Sequence, residues 1–256
     1  MDINVTLIQS NLHWEDIPAN LSMFGDKISS IKEPTDLILL PEMFSTGFTM
    51  KAEQLAETMD GRTVKWLHEK AKEKNAVICG SFICKDSGNY YNRLVWMRPD
   101  GTHEHYDKRH LFGYGDENNH YSQGNNILIV ELKGFKILPL ICYDLRFPVW
   151  SRNTADYDLL IYIANWPDRR IYAWKHLLIA RAIENQSYVI GLNRVGEDGS
   201  KFYYDGSSSV IDMKGEVLFQ KEKEETIFTT TLSKEKSDAY RKEFRVLADR
   251  DEFKLL

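Results

Sequence analysis

Three side chains that can take part in acyl transfer each stand beside a predicted strand of this 256-residue chain. Glu42 comes just after the apolar run Leu37–Leu40. Cys142 comes just after the apolar run Ile137–Ile141, and Lys108 stands at the entrance to a long polar loop. Open α/β folds usually collect functional groups at strand ends. A cysteine that cleaves amides needs a proton acceptor and a cation at the developing oxyanion, which Glu42 and Lys108 supply.

Each of these residues also has a plain structural interpretation when it is taken alone. Most glutamates are solvated, and a lysine between an aspartate and an arginine is normally a surface residue. Free cysteine is among the most buried residue types, so Cys142 alone is equally compatible with an inert thiol, and we interpret Cys79 and Cys84 as inert. The dipeptide Phe147-Pro148 predicts a helix after Cys142, and the positive end of a helix favours thiolate.

Other kinds of site have weaker support. Four histidines surround the long loop: His103, His105, His110 and His120. Their spacing does not resemble that of a structural zinc site, so we predict no metal. A hydrolase that pairs Cys142 with His110 or His120 leaves Glu42 and Lys108 without roles. No glycine-rich phosphate loop and no dinucleotide fingerprint is present in the sequence.

The composition is that of a globular protein with no large cationic surface. Hydrophobic residues make up 43%, charged residues 28%, and 33 Lys and Arg against 38 Asp and Glu give a net charge of −5. This balance argues against nucleic-acid binding. Three cysteines do not make a disulfide framework. Residues 1–9 alternate like a strand and not like a signal peptide, and no apolar run is long enough to span a membrane, so we predict a cytoplasmic protein.

The apolar periodicity predicts strands that alternate with helices. Strands are predicted at residues 1–9, 37–40, from 76, 90–97, 137–141, 159–164 and 188–192, helices around 21–31, 64–71 and 171–186, and hairpin turns at Lys133-Gly134 and Lys214-Gly215. Residues 109–126 are polar and form a predicted long loop. Ten or more β runs are too many for one open sheet, and two stacked sheets with helices outside accommodate them.

The pattern of residues 233–256, the last part of the chain, predicts a polar helix and a tail. Its few large apolar residues indicate docking against another surface, and a second subunit is one candidate: they are Tyr240, Phe244, Val246, Leu247 and Phe253. Because no break in composition divides the chain, we expect residues 1–256 to form a single domain.

Three segments resemble the signature segments of the nitrilase superfamily of carbon-nitrogen hydrolases. They are Leu40–Glu42, Tyr106–Phe112 and Ile141–Pro148, in that order. The likeness extends over nearly the whole chain, through Ala164–Pro167 and Arg181–Gln186. Within the superfamily the chain is most similar to the omega-amidase branch, whose members act on the terminal amides of 2-oxo dicarboxylic acids.

The resemblance implies an α/β fold, a four-layer αββα sandwich of two stacked mixed sheets, that pairs through one face into a homodimer. It also implies a Glu42, Lys108 and Cys142 triad. A second glutamate of the family falls on Glu117, ahead of Ser122-Gln123-Gly124, and would hold Lys108 in position.

For such a triad we predict that Cys142 attacks an amide carbon, that ammonia leaves, and that water hydrolyses the resulting thioester. Glu42 transfers the protons, while Lys108 and the backbone N–H of Tyr143 stabilise the oxyanion. The reaction needs the amide and water, and no metal or organic cofactor.

A 2-oxo dicarboxylate substrate also requires a cation for its far carboxylate. Arg170 is the first candidate and Arg169 the second, because a guanidinium binds a carboxylate through two donors. Arg146 has an equally good structural interpretation as a partner of Asp144 or of another carboxylate. Phe48, Tyr143 and Trp166 are candidates for the wall of the pocket.

Two rival functions stay open at this point. One is another activity of the same superfamily, such as N-carbamoyl amino acid or ureidopropionate hydrolysis, or nitrile hydrolysis. The other is a non-catalytic protein that binds small molecules on the same fold.

Overall fold

The computed structural model describes residues 1–254 and contains thirteen strands and five α-helices over that range. The strands are β1 (Asp2–Gln9), β2 (Leu37–Leu39), β3 (Val77–Asp86), β4 (Asn89–Met97), β5 (His103–Asp107), β6 (Val130–Leu132), β7 (Phe135–Ile141), β8 (Leu159–Ala164), β9 (Tyr188–Asn193), β10 (Val195–Glu197), β11 (Tyr203–Ile211), β12 (Val217–Glu222) and β13 (Thr226–Ser233). The helices are α1 (Ile17–Ser30), α2 (Ala52–Leu55), α3 (Arg62–Lys74), α4 (Ile171–Asn185) and α5 (Lys234–Glu243).

The strands form two mixed sheets. The first has the order β13-β1-β2-β3-β4-β5, and the second has the order β10-β11-β9-β8-β7-β6 with β12 also paired to β11. Strands β1, β2 and β3 run parallel to one another, and so do β7, β8 and β9. Parallel neighbours place their carboxyl ends at the same edge of a sheet, so residues that follow these strands lie close together.

The largest buried cluster lies between the two sheets. It includes Val5, Leu39 and Trp96 of the first sheet together with Leu140 and Ile161 of the second. Strands that are covered on both faces need continuous apolar runs, which explains why β2, β7 and β8 are so apolar. The predicted stacking of two sheets is confirmed.

Helices cover the outer faces of both sheets. On the first sheet, α1 and α3 bury Phe24 and Leu67 in a second apolar cluster with Ile38. On the second sheet, α4 packs against β9 and β11 through Trp174 and Leu178. Helix, sheet, sheet and helix are therefore four successive layers, as expected for an αββα sandwich.

The prediction of a helix that begins at Phe147-Pro148 is wrong. A short 3₁₀ turn at Cys142–Arg146 takes its place, and irregular turns follow it. Phe147 has ψ 87°, an extended conformation. A residue that precedes proline is pushed out of the helical region because the proline ring collides with its backbone, so Phe147 ends the turn. The sequence interpretation also missed α2 and β5 as separate elements.

The C-terminal helix docks on its own chain. Arg241 Nη1 lies 3.0 Å from Asp158 Oδ1, and the Gln186 side chain donates to Phe244 O at 2.8 Å. Phe244 and Phe253 stay exposed in the monomer. The single domain and the docking of residues 233–256 on a second subunit stay predictions, and residues 255 and 256 lie outside the described residues.

Within residues 1–254, no helix has the length and apolar character needed to cross a membrane. The cytoplasmic location stays a prediction.

Candidate active site

The ends of strands from both sheets bring the predicted acid, cation and thiol together. Glu42 lies three residues beyond β2, Lys108 directly follows β5, and Cys142 directly follows β7. Glu117 lies in the long loop, within a short 3₁₀ turn. All four side chains are buried.

Lys108 lies between two carboxylates. Its Nζ is 2.8 Å from Glu42 Oε1, 3.0 Å from Glu117 Oε1 and 2.9 Å from Glu117 Oε2. Burial alone would lower the pKa of Lys108, but the charges of Glu117 and Glu42 outweigh it and raise that pKa above its usual value. The ammonium is therefore charged throughout the neutral range.

Glu117 is held by two kinds of donor. Besides Lys108, the backbone N–H of Phe112 donates to its Oε2 at 2.5 Å. Burial raises the pKa of the Glu117 carboxyl, while the Lys108 charge and the Phe112 N–H oppose that rise. Glu117 contacts Lys108 directly, so this arrangement suits a residue that fixes the position of the ammonium.

Two asparagines that sequence reasoning gave no role complete the surroundings of Glu42. Asn92 Nδ2 donates to Glu42 Oε1 at 2.8 Å, and the backbone N–H of Asn165 donates to Glu42 Oε2 at 2.8 Å. Asn165 Nδ2 also donates to the backbone oxygen of Glu42 at 2.5 Å. Asn165 directly follows β8, so the strand-end rule was able to find it, whereas Asn92 lies inside β4 and no sequence signal marks it.

Cys142 is 8% exposed and has φ 43°, in the left-handed region that side chains other than glycine rarely adopt. Its thiol donates to Asn165 O with an Sγ to O distance of 3.9 Å. Burial raises the pKa of the Cys142 thiol well above its usual value, and the Glu42 carboxylate raises it further, while Lys108 opposes the rise. The helix that was expected to favour thiolate is absent, and burial favours the protonated form of the thiol.

Asp144 fixes the turn that carries Cys142. Its Oδ2 accepts from Tyr106 OH at 2.7 Å and from Ile141 N–H at 3.1 Å, and its Oδ1 accepts from His110 N–H at 3.0 Å. The His110 ring is also 2.8 Å from Oδ1. The buried carboxylate thus ties the nucleophile turn to the segment that carries Lys108.

The geometry supports neither a histidine base for Cys142 nor a metal site built from the loop histidines. His110 pairs with Asp144, and His120 lies 3.2 Å from Asp116. Both histidines thus pair with carboxylates and not with the Cys142 thiol. Among residues 1–254, no group of three or more His, Cys, Asp or Glu side chains is arranged to hold a metal ion.

A cavity of about 700 Å³ opens onto Cys142 and Lys108. Phe48, Tyr143 and Trp166 line it, as predicted for a wall, and Lys108 Nζ lies 5.1 Å from the centre of the Phe48 ring. The Trp166 indole donates to Arg170 O at 2.8 Å, which fixes this part of the wall.

Three arginines line the same cavity, and each lies over an aromatic ring. Arg146 is 4.9 Å from the Trp166 ring centre, and Arg170 is 4.8 Å from that of Phe112. Arg169 is 4.4 Å from the Phe202 ring centre. In the part of the chain that the structure describes, none of the three forms an ion pair with a carboxylate.

The pair of Arg146 with Asp144 is not formed, because Asp144 accepts from the Tyr106 hydroxyl and from the N–H groups of His110 and Ile141 instead. Burial, together with the positive charge of Arg169, lowers the pKa of Arg170. An anion entering the cavity would relieve that repulsion.

The sequence matches the model of the carbon-nitrogen hydrolase family over residues 4–242. It is 46% identical to "Omega-amidase YafV" of Escherichia coli strain K12, over 99% of this chain and 98% of that protein. It is 32% identical to "2-oxoglutaramate amidase" of Bacillus subtilis strain 168, over 97% of this chain and 98% of that protein.

Among solved structures, the fold matches XC1258 from Xanthomonas campestris, described as a CN-hydrolase superfamily protein with an arsenic adduct in the active site. The TM-score is 0.98 and the identity is 41%, with all of both chains covered.

Proposed function

The chain belongs to the carbon-nitrogen hydrolase family, and we propose that it is an omega-amidase that hydrolyses the terminal amide of 2-oxo dicarboxylic acid monoamides such as 2-oxoglutaramate and 2-oxosuccinamate. The observation that carries this proposal is one cavity that joins the Cys142 thiol to arginines that have no carboxylate partner among residues 1–254. Its relatives named as omega-amidase and 2-oxoglutaramate amidase support the same substrate class.

The first step is attack by Cys142 Sγ on the amide carbon while Glu42 takes the thiol proton. A protonated thiol needs such an acceptor, because at an ordinary pKa of about 8.5 only about 3% of a cysteine is thiolate at pH 7, and here burial lowers that fraction. Three donors, Asn92 Nδ2, Lys108 Nζ and Asn165 N–H, hold the Glu42 carboxylate in place as the proton acceptor.

The oxyanion that forms takes hydrogen bonds from Lys108 Nζ and from the backbone N–H of Tyr143. An ammonium has three donors, and Lys108 Nζ directs them at one oxygen of Glu42 and both oxygens of Glu117, so the oxyanion takes the donor that one of the two Glu117 contacts gives up. Tyr143 lies in the first turn after β7, where backbone N–H groups have no partner within the turn. Loss of one oxyanion donor typically costs about 3 kcal/mol of activation free energy.

The tetrahedral intermediate collapses to a thioester when Glu42 returns the proton to the leaving nitrogen and ammonia departs. Water then attacks the thioester carbon while Glu42 takes a proton from this water, and Glu42 passes that proton to the sulfur as the carbon–sulfur bond breaks. The products are the carboxylic acid, ammonia and the regenerated thiol. Every proton in this cycle passes through groups that the chain and the substrate supply.

Arg170 is the proposed anchor for the far carboxylate of the substrate, and Arg169 is the second candidate. A hydrogen-bonded pair of a guanidinium with a carboxylate is worth about 1.5–3 kcal/mol, so we expect Arg170→Met to raise KM for the carboxylated amide about 10- to 100-fold. The measurement compares 2-oxoglutaramate with a neutral linear amide of the same length.

Arg146→Met is the matched control, because it also removes one guanidinium that lies on an aromatic ring of the same cavity. Arg169→Met tests the second candidate, and its effect on KM should be smaller than that of Arg170→Met because Arg169 is more exposed. Equal losses on neutral and carboxylated amides would remove Arg170 from the proposed role.

A panel of small substrates tests the function itself. It contains 2-oxoglutaramate, 2-oxosuccinamate, an N-carbamoyl amino acid, ureidopropionate and a linear nitrile, each assayed for ammonia and carbon dioxide. We expect the highest kcat/KM for the two 2-oxo amides, with ammonia and no carbon dioxide. Carbon dioxide release from the carbamoyl compounds would establish the rival hydrolase, and binding without turnover of any member would establish a non-catalytic protein.

A further inference from the structure

Asn193 is the last residue of β9, and its buried side chain brackets the backbone of Trp166. Its Oδ1 accepts from Trp166 N–H at 2.8 Å, and its Nδ2 donates to Trp166 O at 2.9 Å. The same amide accepts from Arg194 N–H at 2.9 Å and donates to Gly206 O at 2.8 Å. All its hydrogen-bonding capacity is therefore used inside the protein.

The hydrogen bonds from the Asn193 side chain to Trp166 replace backbone pairing between β8 and β9. Strands β8 and β9 pair up to Ala164 and Asn193, so the backbone of the next two residues has no further ladder partners there. Buried backbone N–H and C=O groups need partners, and the Asn193 side chain supplies both for Trp166. Pro167 follows and has no N–H to contribute.

The segment held in this way contacts both reacting groups. Asn165 N–H donates to Glu42 Oε2 at 2.8 Å, and Asn165 O accepts from the Cys142 thiol. Rotation of the peptide between Asn165 and Trp166 would move Asn165 O, which is the partner of the Cys142 thiol, relative to Asn165 N–H, which is the partner of Glu42. Asn193 itself touches neither of them and does not line the cavity.

We infer that Asn193 is a positioning residue, which holds the Asn165–Trp166 segment so that Glu42 and Cys142 stay aligned for proton transfer during acylation. This inference rests on the proposed function, because that function gives Glu42 and Cys142 their roles. Displacements of about 1 Å in reacting groups can change rates about 100-fold.

The chain contains a matched control for this test. Asn153 is equally buried and brackets Tyr157 with the same pattern, accepting from its N–H at 2.9 Å and donating to its O at 2.9 Å. Asn153 does not line the cavity. Asn193→Ala and Asn153→Ala therefore remove the same kind of bracket, one beside the site and one away from it.

We expect Asn193→Ala to lower kcat about 10- to 100-fold per folded molecule, with KM changed by less than about threefold. KM is expected to hold because the Trp166 indole keeps its hydrogen bond to Arg170 O. The rate at which iodoacetamide alkylates Cys142 should fall with kcat. Asn153→Ala should lower the melting temperature comparably while kcat and the alkylation rate stay within about twofold of wild type.

Equal losses of kcat in the two variants, or an Asn193→Ala enzyme with wild-type kcat and alkylation rate, would overturn the inference. If Asn193→Ala does not fold, Asn193→Asp keeps the acceptor for Trp166 N–H and loses the donors, and an unchanged alkylation rate in that variant would also overturn it. If the wild-type protein releases no ammonia from any amide, the proposed function fails, whereas the alkylation rates still decide the role of Asn193.

Discussion

Cys142→Ala is expected to lower amidase kcat by about 10⁴-fold or more, because no other group can form the covalent acyl intermediate. The thiol lies within the cavity beside Glu42 and Lys108, whereas the two other cysteines are buried elsewhere. Mass spectrometry of the wild-type protein during turnover should show an acyl group on Cys142. That group should be absent from the alanine variant.

Cys84→Ala is the matched control for this substitution. It also removes one buried sulfur, and burial raises the pKa of the Cys84 thiol to about 11, so this thiol is not a nucleophile at neutral pH. We expect its kcat to stay within about threefold of wild type, since Cys84 lies outside the cavity. If Cys142→Ala turned over amides at more than about 1% of the wild-type rate, the covalent mechanism would be wrong.

The fold was predictable where the burial of a strand leaves a continuous apolar run. This holds for β2, β7 and β8, and the predicted ends of β2 and β7 pointed to Glu42 and Cys142, whereas Lys108 follows β5. Strand β5 was missed because its sequence, His103–Asp107, contains four polar residues out of five, and only Tyr106 of the strand is buried. Pairing with β4 decides its conformation, and that pairing is invisible in the local sequence.

The site was less predictable than the fold because its electrostatics depend on contacts between distant segments. Asn92 and Lys108 are sixteen residues apart in sequence, yet both donate to one oxygen of Glu42. The partner expected for Arg146 was Asp144, two residues away, but Asp144 binds the Tyr106 hydroxyl and His110 instead. Proximity in sequence thus gave the wrong pair.

The protonation of the Cys142 thiol was also not predictable from the local sequence. From sequence, a helix start beside Cys142 favours thiolate, but the proline that follows Phe147 prevents the helix. Burial then dominates and favours the protonated thiol. In the proposed mechanism a protonated thiol requires Glu42 as the base, whereas a preformed thiolate would not.

Glu42→Gln should therefore lower kcat about 10²- to 10⁴-fold, the usual range for loss of a general base. All three groups that contact the Glu42 carboxylate are donors: Asn92 Nδ2, Lys108 Nζ and the backbone N–H of Asn165. A glutamine must turn its own NH₂ toward one of them, so it loses the acceptor function and a hydrogen bond as well. Steady-state kinetics with 2-oxoglutaramate measure the whole reaction. The rate of Cys142 alkylation measures the removal of the thiol proton alone.

Glu117→Gln separates proton transfer from the charge balance around Lys108. Glu117 is as buried as Glu42 and contacts the same ammonium, so each substitution removes one negative charge from Lys108. In the Glu42→Gln protein the Glu117 carboxylate still keeps Lys108 protonated, which leaves the oxyanion donor in place. A glutamine at position 117 should cost only about tenfold, since Glu42 still takes the proton. Equal losses in the two proteins would mean that Glu42 acts through the charge of Lys108 and not as the base.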